Sequence, residues 1–217
     1  MTPASPVTHL ATPHLAAPSG PDLVLASASS ARRRLLADVG VPVTIDPADV
    51  DEGAVKQELL GRGAGPGDVA MALAELKALT VASRRPGALV IGCDQVLAAG
   101  ERLFDKPPDM AAARAHLLAL RGRQHMLISA VAVARDGVIL WRHDEAAHLT
   151  MRDFSDAFLD AYLAVAGPAV LGSVGAYALE GTGAQLFERI AGDHFTIQGL
   201  PLLALLDFLR GAGACLA

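Results

Sequence analysis

The chain has 217 residues, of which 52% are hydrophobic and 19% are charged. This size and composition predict one globular domain whose core needs no disulfide or metal links, and they exclude a chain that is disordered throughout. A formal net charge of -5 argues against a protein that binds nucleic acid of any sequence, because such a protein needs a basic surface to neutralise phosphates. No apolar run approaches the roughly 18 residues that a membrane-spanning helix requires.

Residues 1–21 are rich in proline, alanine, threonine and serine and contain no lysine or arginine. We expect a disordered tail here, because a secretory signal would need a cationic start and a continuous apolar run. We expect residues 22–217 to form a single domain. The two cysteines, Cys93 and Cys215, form no CxxC pair and no metal-like cluster, so a reducing, cytoplasmic setting fits the chain.

Predicted strands and helices alternate along the rest of the chain. In chain order we predict a buried strand at 23–26, a helix that ends before Gly40, extended structure at 41–45, a helix over 68–85 and a buried strand at 88–92. We then predict a helix over 109–120, a hairpin with strands at 126–134 and 138–150, a helix capped by Ser155, a glycine-punctuated strand region at 172–190 and a helix over 201–210. This order predicts an α/β fold with a mixed sheet.

The junction between the first strand and the first helix has the composition of an anion-binding turn. Small residues from Ala26 to Ala31 let a backbone approach a ligand, and the start of the helix offers unpaired N–H groups. Ser27 and Arg32 add hydroxyl and guanidinium donors, so we expect a phosphate ligand. The turn matches neither GxxxxGK[ST] nor GxGxxG. The alternative is a serine-capped amphipathic helix with solvated arginines.

Carboxylates follow at two further places. The acidic run 46–52, which ends in Glu52, predicts either oxygen ligands for Mg²⁺ or a solvated surface loop. Asp94 is expected just beyond the carboxyl end of its strand, where α/β sheets bind ligands. There it could act as a base on water, hold a metal, or cap a turn.

Two lysines and a glycine-rich segment complete the candidate set. Lys77 is expected in mid-helix beside an apolar stripe, and Lys106 is followed by two prolines that stiffen the backbone. Each lysine alone is typical of a solvated surface, but together with the anion-binding turn and the carboxylates they predict a site for a triphosphate and Mg²⁺. Segment 175–183, which contains Glu180, predicts either a loop that closes over a base or a series of bulges and turns at a sheet edge.

Seven motifs occur in order along the chain. They are LASAS at 25–29 followed by Arg32, VDE at 50–52, KA at 77–78, IGCDQV at 91–96, KP at 106–107, GAY at 175–177 and GLPL at 199–202. Together they resemble the Maf family of nucleoside triphosphate pyrophosphatases from about Leu23 to Leu209. The resemblance implies a fold like that of inosine triphosphatase, an elongated mixed sheet with flanking helices and two lobes around a central cleft, often in a dimer.

The resemblance also implies a reaction and a set of site residues. The reaction is hydrolysis of a nucleoside triphosphate between the α and β phosphorus atoms, with a divalent cation such as Mg²⁺, Mn²⁺ or Co²⁺. Asp94 matches the family's proton acceptor, which activates the attacking water, and Glu52 matches a carboxylate that helps to hold the metal together with Asp94. The positions that match phosphate contacts are Ser27, Arg32, Lys77 and Lys106.

Three positions bear on the choice of base. Gln95 and Glu180 match the branch that hydrolyses 7-methyl-GTP, whereas the branch that acts on dTTP and UTP has threonine and glutamine there. A carboxylate can accept hydrogen bonds from the N1–H and 2-amino edge of guanine, and it suits the positive charge of a 7-methylated purine. Ala31 matches neither branch, since these carry tryptophan or arginine. We therefore expect 7-methyl-GTP as the substrate.

Other functions stay open at this point. One is a dTTP and UTP pyrophosphatase of the same family, and another is general removal of damaged triphosphates. The family's association with septum formation gives a third, a regulator of cell division that senses nucleotides without hydrolysing them. The complete set of charged site positions argues against this third function, and release of pyrophosphate would distinguish an enzyme from a binder.

Overall fold

The computed structural model describes Leu15, Ala17 and residues 20–216. The predicted disordered tail, residues 1–21, falls mostly outside the described residues and stays a prediction. Leu15 and Ala17 donate backbone hydrogen bonds to the carbonyls of Gly40 and Ala214, at 3.0 and 3.1 Å. Among the described residues, no helix combines the length and the apolar character needed to cross a membrane.

Strands and helices alternate as predicted. The strands are β1 Leu23–Leu25, β2 Thr44–Ile45, β3 Leu89–Ala99, β4 Arg102–Phe104, β5 Gln124–Arg135, β6 Val138–Met151 and β7 Phe187–Ala191. The helices are α1 Ser30–Asp38, α2 Glu52–Gly61, α3 Pro66–Ala82, α4 Met110–Leu120, α5 Asp156–Ala166, α6 His194–Ile197 and α7 Leu202–Gly211. Two 3-10 helices cover Gly167–Gly172 and Thr182–Leu186.

The strands form one mixed sheet. Its order is β2-β1-β3-β5-β6-β7, and β4 pairs with β3. β1 is parallel to β2 and to β3, while the pairs along β3, β5, β6 and β7 are antiparallel. The predicted α/β fold with a mixed sheet and flanking helices is therefore confirmed.

Apolar side chains of the central strands alternate between two layers of helices. On one face, Leu89, Ile91 and Cys93 pack with α1 and α7, and on the other, Val90 packs with α3. A third cluster joins α4, α5 and the 3-10 helices to the far ends of β5 and β6. Because successive side chains of a strand point to opposite faces, Asp94 faces the α3 side of the sheet and Gln95 faces the other side.

The predicted hairpin between β5 and β6 is confirmed. Its turn residues Asp136 and Gly137 both have positive φ angles, 50° and 80°, which is the conformation that the favoured two-residue hairpin turn requires. The predicted helix caps at Asp109 and Ser155 are also confirmed, because each side chain accepts a hydrogen bond from a backbone N–H in the first turn.

The strand that carries Asp94 is longer than predicted. β3 continues to Ala99, so Asp94 lies inside the strand, opposite Ala130 of β5, and the expected position just beyond the strand end is wrong. The prediction ended the strand where its apolar run ends. The backbone ladder with β5 continues regardless of side-chain polarity, and one polar position can face a cleft without interrupting it.

Two further segments differ from the prediction. Segment 172–190 is built mainly of turns and a 3-10 helix, and only β7 at its end is a strand. Its glycines favour tight turns, and Ala176 has a positive φ of 57°, which a regular strand excludes. The acidic run was not expected to begin a helix, yet Asp51 is the N-cap of α2 and accepts a hydrogen bond from the N–H of Ala54.

Candidate active site

A cavity of about 920 Å³ brings together segments that are far apart in sequence. The β1–α1 turn, α2, α3 and β3 contribute lining residues, and so does the segment from α5 to the second 3-10 helix. The lining includes all the residues that match family site positions: Ser27, Ala31, Arg32, Glu52, Lys77, Asp94, Gln95, Lys106 and Glu180. The cleft therefore contains a set of cations and carboxylates that a nucleotide polyphosphate could contact.

Close packing of α3 on β3 positions the central ion pair. A Cβ atom on Gly92 would overlap the carbonyl oxygen of Ala74 and lie 2.6 Å from the backbone nitrogen of Ala78. Only glycine therefore lets the helix approach the strand this closely. Asp94 is two residues along the same face of β3, so its carboxylate faces α3 at Lys77.

Lys77 holds two carboxylates at the wall of the cleft. Its Nζ atom lies 2.7 Å from Oδ1 of Asp94 and 2.7 Å from Oε1 of Glu52. The side chain of Lys77 is 9% exposed and that of Asp94 is 7% exposed, whereas Glu52 is 44% exposed. The buried ammonium group thus joins α3 to β3 and to the start of α2.

The charges around Glu52 keep its carboxylate ionised. Partial burial raises the pKa of Glu52, but the hydrogen bond and the charge of Lys77 lower it by more, with help from Lys56 and Lys106. The net pKa of Glu52 lies below its usual value. At neutral pH this group is therefore available as an anionic oxygen ligand.

The second oxygen of Asp94 has the character of a ligand atom. Oδ2 is buried and has no hydrogen-bond partner among the described residues, which is costly for a carboxylate unless water or a cation supplies one. The described residues contain no group of three or more His, Cys, Asp or Glu side chains that could hold a metal alone. Mg²⁺ typically uses one or two carboxylates together with substrate phosphates, and Glu52 and Asp94 are the residues here that could supply them.

Arg32 is buried, so the alternative that this arginine is solvated is wrong. Its Nε donates to the carbonyl of Gly199 at 2.7 Å, and its Nη1 donates to Ser27 Oγ at 3.1 Å and to the carbonyl of Cys93 at 3.0 Å. Gly199 has a φ of 98°, and a Cβ there would lie 3.2 Å from Arg32 Nε. Nη2 forms no hydrogen bond within the described chain, so it is the part of the guanidinium left for a ligand in the cleft.

The β1–α1 turn is organised by serine side chains. Ser29 caps α1 by accepting a hydrogen bond from the N–H of Arg32, and Ser27 Oγ accepts one from the N–H of Ser29 at 3.2 Å. Ser27 Oγ also accepts from Arg32, so its own O–H remains available as a donor. The hydroxyl and the start of α1 therefore present donors to the cleft, as the composition of the turn predicted.

The acidic run divides between structural and cleft-facing roles. Asp46 pairs with Arg84 and Arg85, at 2.6 and 2.7 Å, and these hydrogen bonds lower its pKa to about 2. Asp51 is occupied as the cap of α2. Of the run's carboxylates, only Glu52 lines the cleft.

Sequence reasoning missed Lys56. This residue lies one helical turn after Glu52 on α2, lines the cleft, and places its Nζ 2.7 Å from Oδ1 of Asp105. Burial lowers the pKa of Lys56. The hydrogen bond and charge of Asp105, together with the charges of Asp94 and Glu52, raise it by more, so the net pKa is above its ordinary value. Asp51 was the available signal: an aspartate is a favoured N-cap, and a helix begun there would have placed Lys56 one turn after Glu52.

The three positions expected to select the base lie around the same cleft. Ala31 is in the first turn of α1, and Glu180 is exposed in the turn before the second 3-10 helix. Gln95 follows Asp94 on β3 but faces the other side of the strand, where its amide contacts Ser129 and α6. Asp94 and Gln95 thus lie on opposite faces of β3.

The family model of Maf-like proteins matches residues 22–212 of the chain. The chain belongs to the Maf family. Among its relatives, a nucleoside triphosphate pyrophosphatase of Paramagnetospirillum magneticum is 57% identical over 190 residues, which cover 88% of this chain and 98% of the relative. A 7-methyl-GTP pyrophosphatase of Mesorhizobium japonicum is 54% identical and covers 88% of this chain and 96% of its own length.

A third relative supports the same family assignment. A nucleoside triphosphate pyrophosphatase of Caulobacter vibrioides is 54% identical over 192 residues, which cover 88% of this chain and 96% of the relative. The resemblance inferred from the ordered motifs is therefore confirmed, and six of the seven motifs contribute residues to one cleft.

Proposed function

We propose that this Maf-family chain is a nucleoside triphosphate pyrophosphatase, a hydrolase that cleaves between the α and β phosphorus atoms and releases a nucleoside monophosphate and pyrophosphate. The observation that carries the proposal is the buried ion pair of Lys77 and Asp94, extended by Glu52, in a cleft that Arg32 and Lys106 also line. Relatives more than half identical to the chain are named for this activity.

Asp94 is the proposed general base. Lys77 holds Oδ1, which fixes the orientation of the carboxylate and leaves Oδ2 without a protein partner. Oδ2 would accept a proton from a water molecule whose oxygen attacks the α-phosphorus, while the bond from that phosphorus to the pyrophosphate oxygen breaks. The electron pair of the broken bond leaves with pyrophosphate.

Cations of the cleft would stabilise the departing group. Positive charge aimed at the place where negative charge develops is a major source of rate enhancement in phosphoryl chemistry. Lys106 and Lys56 lie on the cleft wall near Glu52, and Arg32 offers Nη2 from the β1–α1 turn. A divalent cation, Mg²⁺, Mn²⁺ or Co²⁺, would be held by Glu52 and Asp94 and would offset further negative charge of the polyphosphate when bound.

We propose 7-methyl-GTP as the substrate. The Glu180 carboxylate lines the cleft, and an acceptor of this charge suits the donor edge and the positive ring of 7-methylguanine. The Mesorhizobium japonicum relative is named a 7-methyl-GTP pyrophosphatase. These observations favour 7-methyl-GTP over dTTP and UTP, and the complete charged site favours an enzyme over a regulator that only senses nucleotides.

A panel of triphosphates tests the proposal. The purified chain is incubated with 7-methyl-GTP, GTP, dTTP and UTP, each with Mg²⁺, Mn²⁺ or Co²⁺, and pyrophosphate release is followed by a coupled assay. We expect the highest kcat/KM with 7-methyl-GTP. A preference for dTTP or UTP would overturn the choice of base, and saturable binding without pyrophosphate release would overturn the enzymatic proposal.

A further inference from the structure

The amide nitrogen of Gln95 is surrounded by hydrogen-bond acceptors of the protein. Nε2 lies 3.0 Å from Ser129 Oγ, 3.1 Å from the carbonyl oxygen of Thr196 and 3.0 Å from that of Ile197. A backbone carbonyl can only accept a hydrogen bond, so the nitrogen of the amide and not its oxygen must face α6. The two N–H bonds of Nε2 are therefore fully used inside the protein.

Buried hydrogen bonds hold these acceptors in place. Ser129 is fully buried, and its hydroxyl donates to the Thr196 carbonyl at 2.7 Å, which directs an acceptor lone pair towards Gln95. Thr196 is held in turn, because its Oγ1 donates to Glu145 at 2.7 Å and its N–H donates to Asp193 at 2.9 Å. A network this well satisfied resists rotation of the Gln95 amide.

The oxygen of the same amide is the atom left for a ligand. Gln95 lines the cleft, and its Oε1 forms no hydrogen bond with any described residue. Among the described residues, the buried polar atoms without a partner are Asp94 Oδ2, His116 Nδ1, His125 Nδ1 and Arg135 Nε. Gln95 Oε1 has no partner in the described part of the chain and is not one of these buried atoms. The side chain thus offers an accessible acceptor and no donor.

We infer that Ser129, with the carbonyls of Thr196 and Ile197, is a positioning residue that locks Gln95 with only its acceptor oxygen towards the cleft, so that this oxygen and the Glu180 carboxylate select a base with two adjacent N–H donors on its Watson–Crick edge. Guanine carries such a pair, N1–H and the 2-amino group. Adenine has one amino donor beside a ring nitrogen that is itself an acceptor, and this leaves one of the two acceptors of the cleft unpaired.

The inference rests on the proposed function, but its test needs no turnover. Dissociation constants of GMP and AMP, which share sugar and phosphate, are measured with Mg²⁺ by titration calorimetry for the wild type, Gln95→Met and Ser129→Ala. Ser83→Ala is the matched control, because the Ser83 hydroxyl bonds only the Thr80 carbonyl on the exposed end of α3. The readout is the AMP-to-GMP ratio of dissociation constants, which a general loss of stability does not move.

We expect the wild type and Ser83→Ala to prefer GMP by about tenfold or more, the size of one hydrogen bond gained and one mismatch avoided. Gln95→Met should lower the ratio by about fivefold or more, with Glu180 keeping part of the preference, and Ser129→Ala should lower it by about threefold, because the amide loses one tether. An unchanged ratio in Ser129→Ala, or equal binding of GMP and AMP by the wild type, would overturn the inference. If Gln95→Met does not fold, Ser129→Ala decides alone. Absence of hydrolysis in the triphosphate panel would contradict the proposed function and leave this binding result standing.

Discussion

The Nζ atom of Lys77 lies 2.7 Å from Oδ1 of Asp94, and the two side chains are 9% and 7% exposed. A charge this deeply buried is costly without its partner, so each of the two groups depends on the other. Because the pair also links α3 to β3 beside the cleft, it serves both the stability of the fold and the proposed chemistry.

The replacement Asp94→Asn tests the chemical half of this relationship. Asparagine can still accept a hydrogen bond from Lys77 but cannot take a proton from water, and Lys77 keeps its ion pair with Glu52. We expect kcat for 7-methyl-GTP to fall by at least about a hundredfold while the circular dichroism spectrum stays that of the wild type. The control is Asp207→Asn, which removes an exposed carboxylate paired with Arg210. Near-normal turnover by Asp94→Asn would rule out this residue as the base.

The replacement Lys77→Met tests the structural half. It leaves the buried Asp94 carboxylate without a counter-charge, and we expect the free energy of unfolding in urea to fall by about 3–5 kcal/mol. Combining Lys77→Met with Asp94→Asn should restore part of this loss, because the double variant has no unpaired buried charge.

A surface ion pair provides the comparison for Lys77→Met. Arg210→Met breaks the exposed contact with Asp207 and should cost less than about 1 kcal/mol. Lys77 and Asp94 would not be a coupled buried ion pair if Lys77→Met and Arg210→Met lost equal free energies of unfolding. The same would follow if the losses of Lys77→Met and Asp94→Asn simply added in the double variant.

Gly92→Ala tests the close approach of α3 to β3. The added methyl group would overlap the α3 backbone at Ala74 and Ala78, and overpacking of a rigid core typically costs about 1–3 kcal/mol. We expect a lower melting temperature together with lower kcat, because a displaced helix moves Lys77 away from Asp94. Gly61→Ala is the control, since a Cβ there meets no atom within 4 Å. A Gly92→Ala protein as stable and active as the wild type would refute the packing account.

Sequence patterns predicted the fold where they were long and periodic. The hairpin strands β5 and β6, the caps at Asp109 and Ser155 and the mixed α/β order followed from local rules. The extent of β3 did not, because the polar residues Asp94 and Gln95 interrupt its apolar sequence, while the ladder with β5 continues through them to Ala98.

The candidate site was predicted as a set of residues but not as a geometry. Ordered motifs named most of the charged residues that meet in the cleft, but not Lys56. Lys77 and Asp94 are 17 positions apart, and their contact depends on Gly92, whose role is visible only once α3 is packed on β3. Ser129 gave no signal, since a lone serine in an apolar strand is indistinguishable from a core position until its partners are known.

Acid sensitivity should arise at His125. This side chain is buried with its Nε2 2.7 Å from the hydroxyl of Tyr177, and burial lowers the pKa of His125 from 6.5 to about 4. On acidification the unfolded chain takes up a proton at this residue near its ordinary pKa, while the folded chain does not until much lower pH. The contribution to stability is therefore complete above pH 6.5 and is lost as the pH falls towards 4.

Urea unfolding measures this effect. Between about pH 7.5 and about pH 5, we expect the wild type to lose about 2 kcal/mol through His125. His125→Gln, whose amide can still bond Tyr177 but does not titrate, should show a pH dependence flatter by that amount. Parallel curves for the two proteins would show that His125 does not carry the dependence.

The most direct measurement of the central claim locates the bond that breaks. The chain is incubated with 7-methyl-GTP and Mg²⁺ in isotopically labelled water, and the products are separated and analysed by mass spectrometry. Attack of water on the α-phosphorus predicts equal amounts of 7-methyl-GMP and pyrophosphate, with the heavy oxygen in the monophosphate. Label in pyrophosphate, formation of 7-methyl-GDP and inorganic phosphate, or unchanged 7-methyl-GTP would contradict the account.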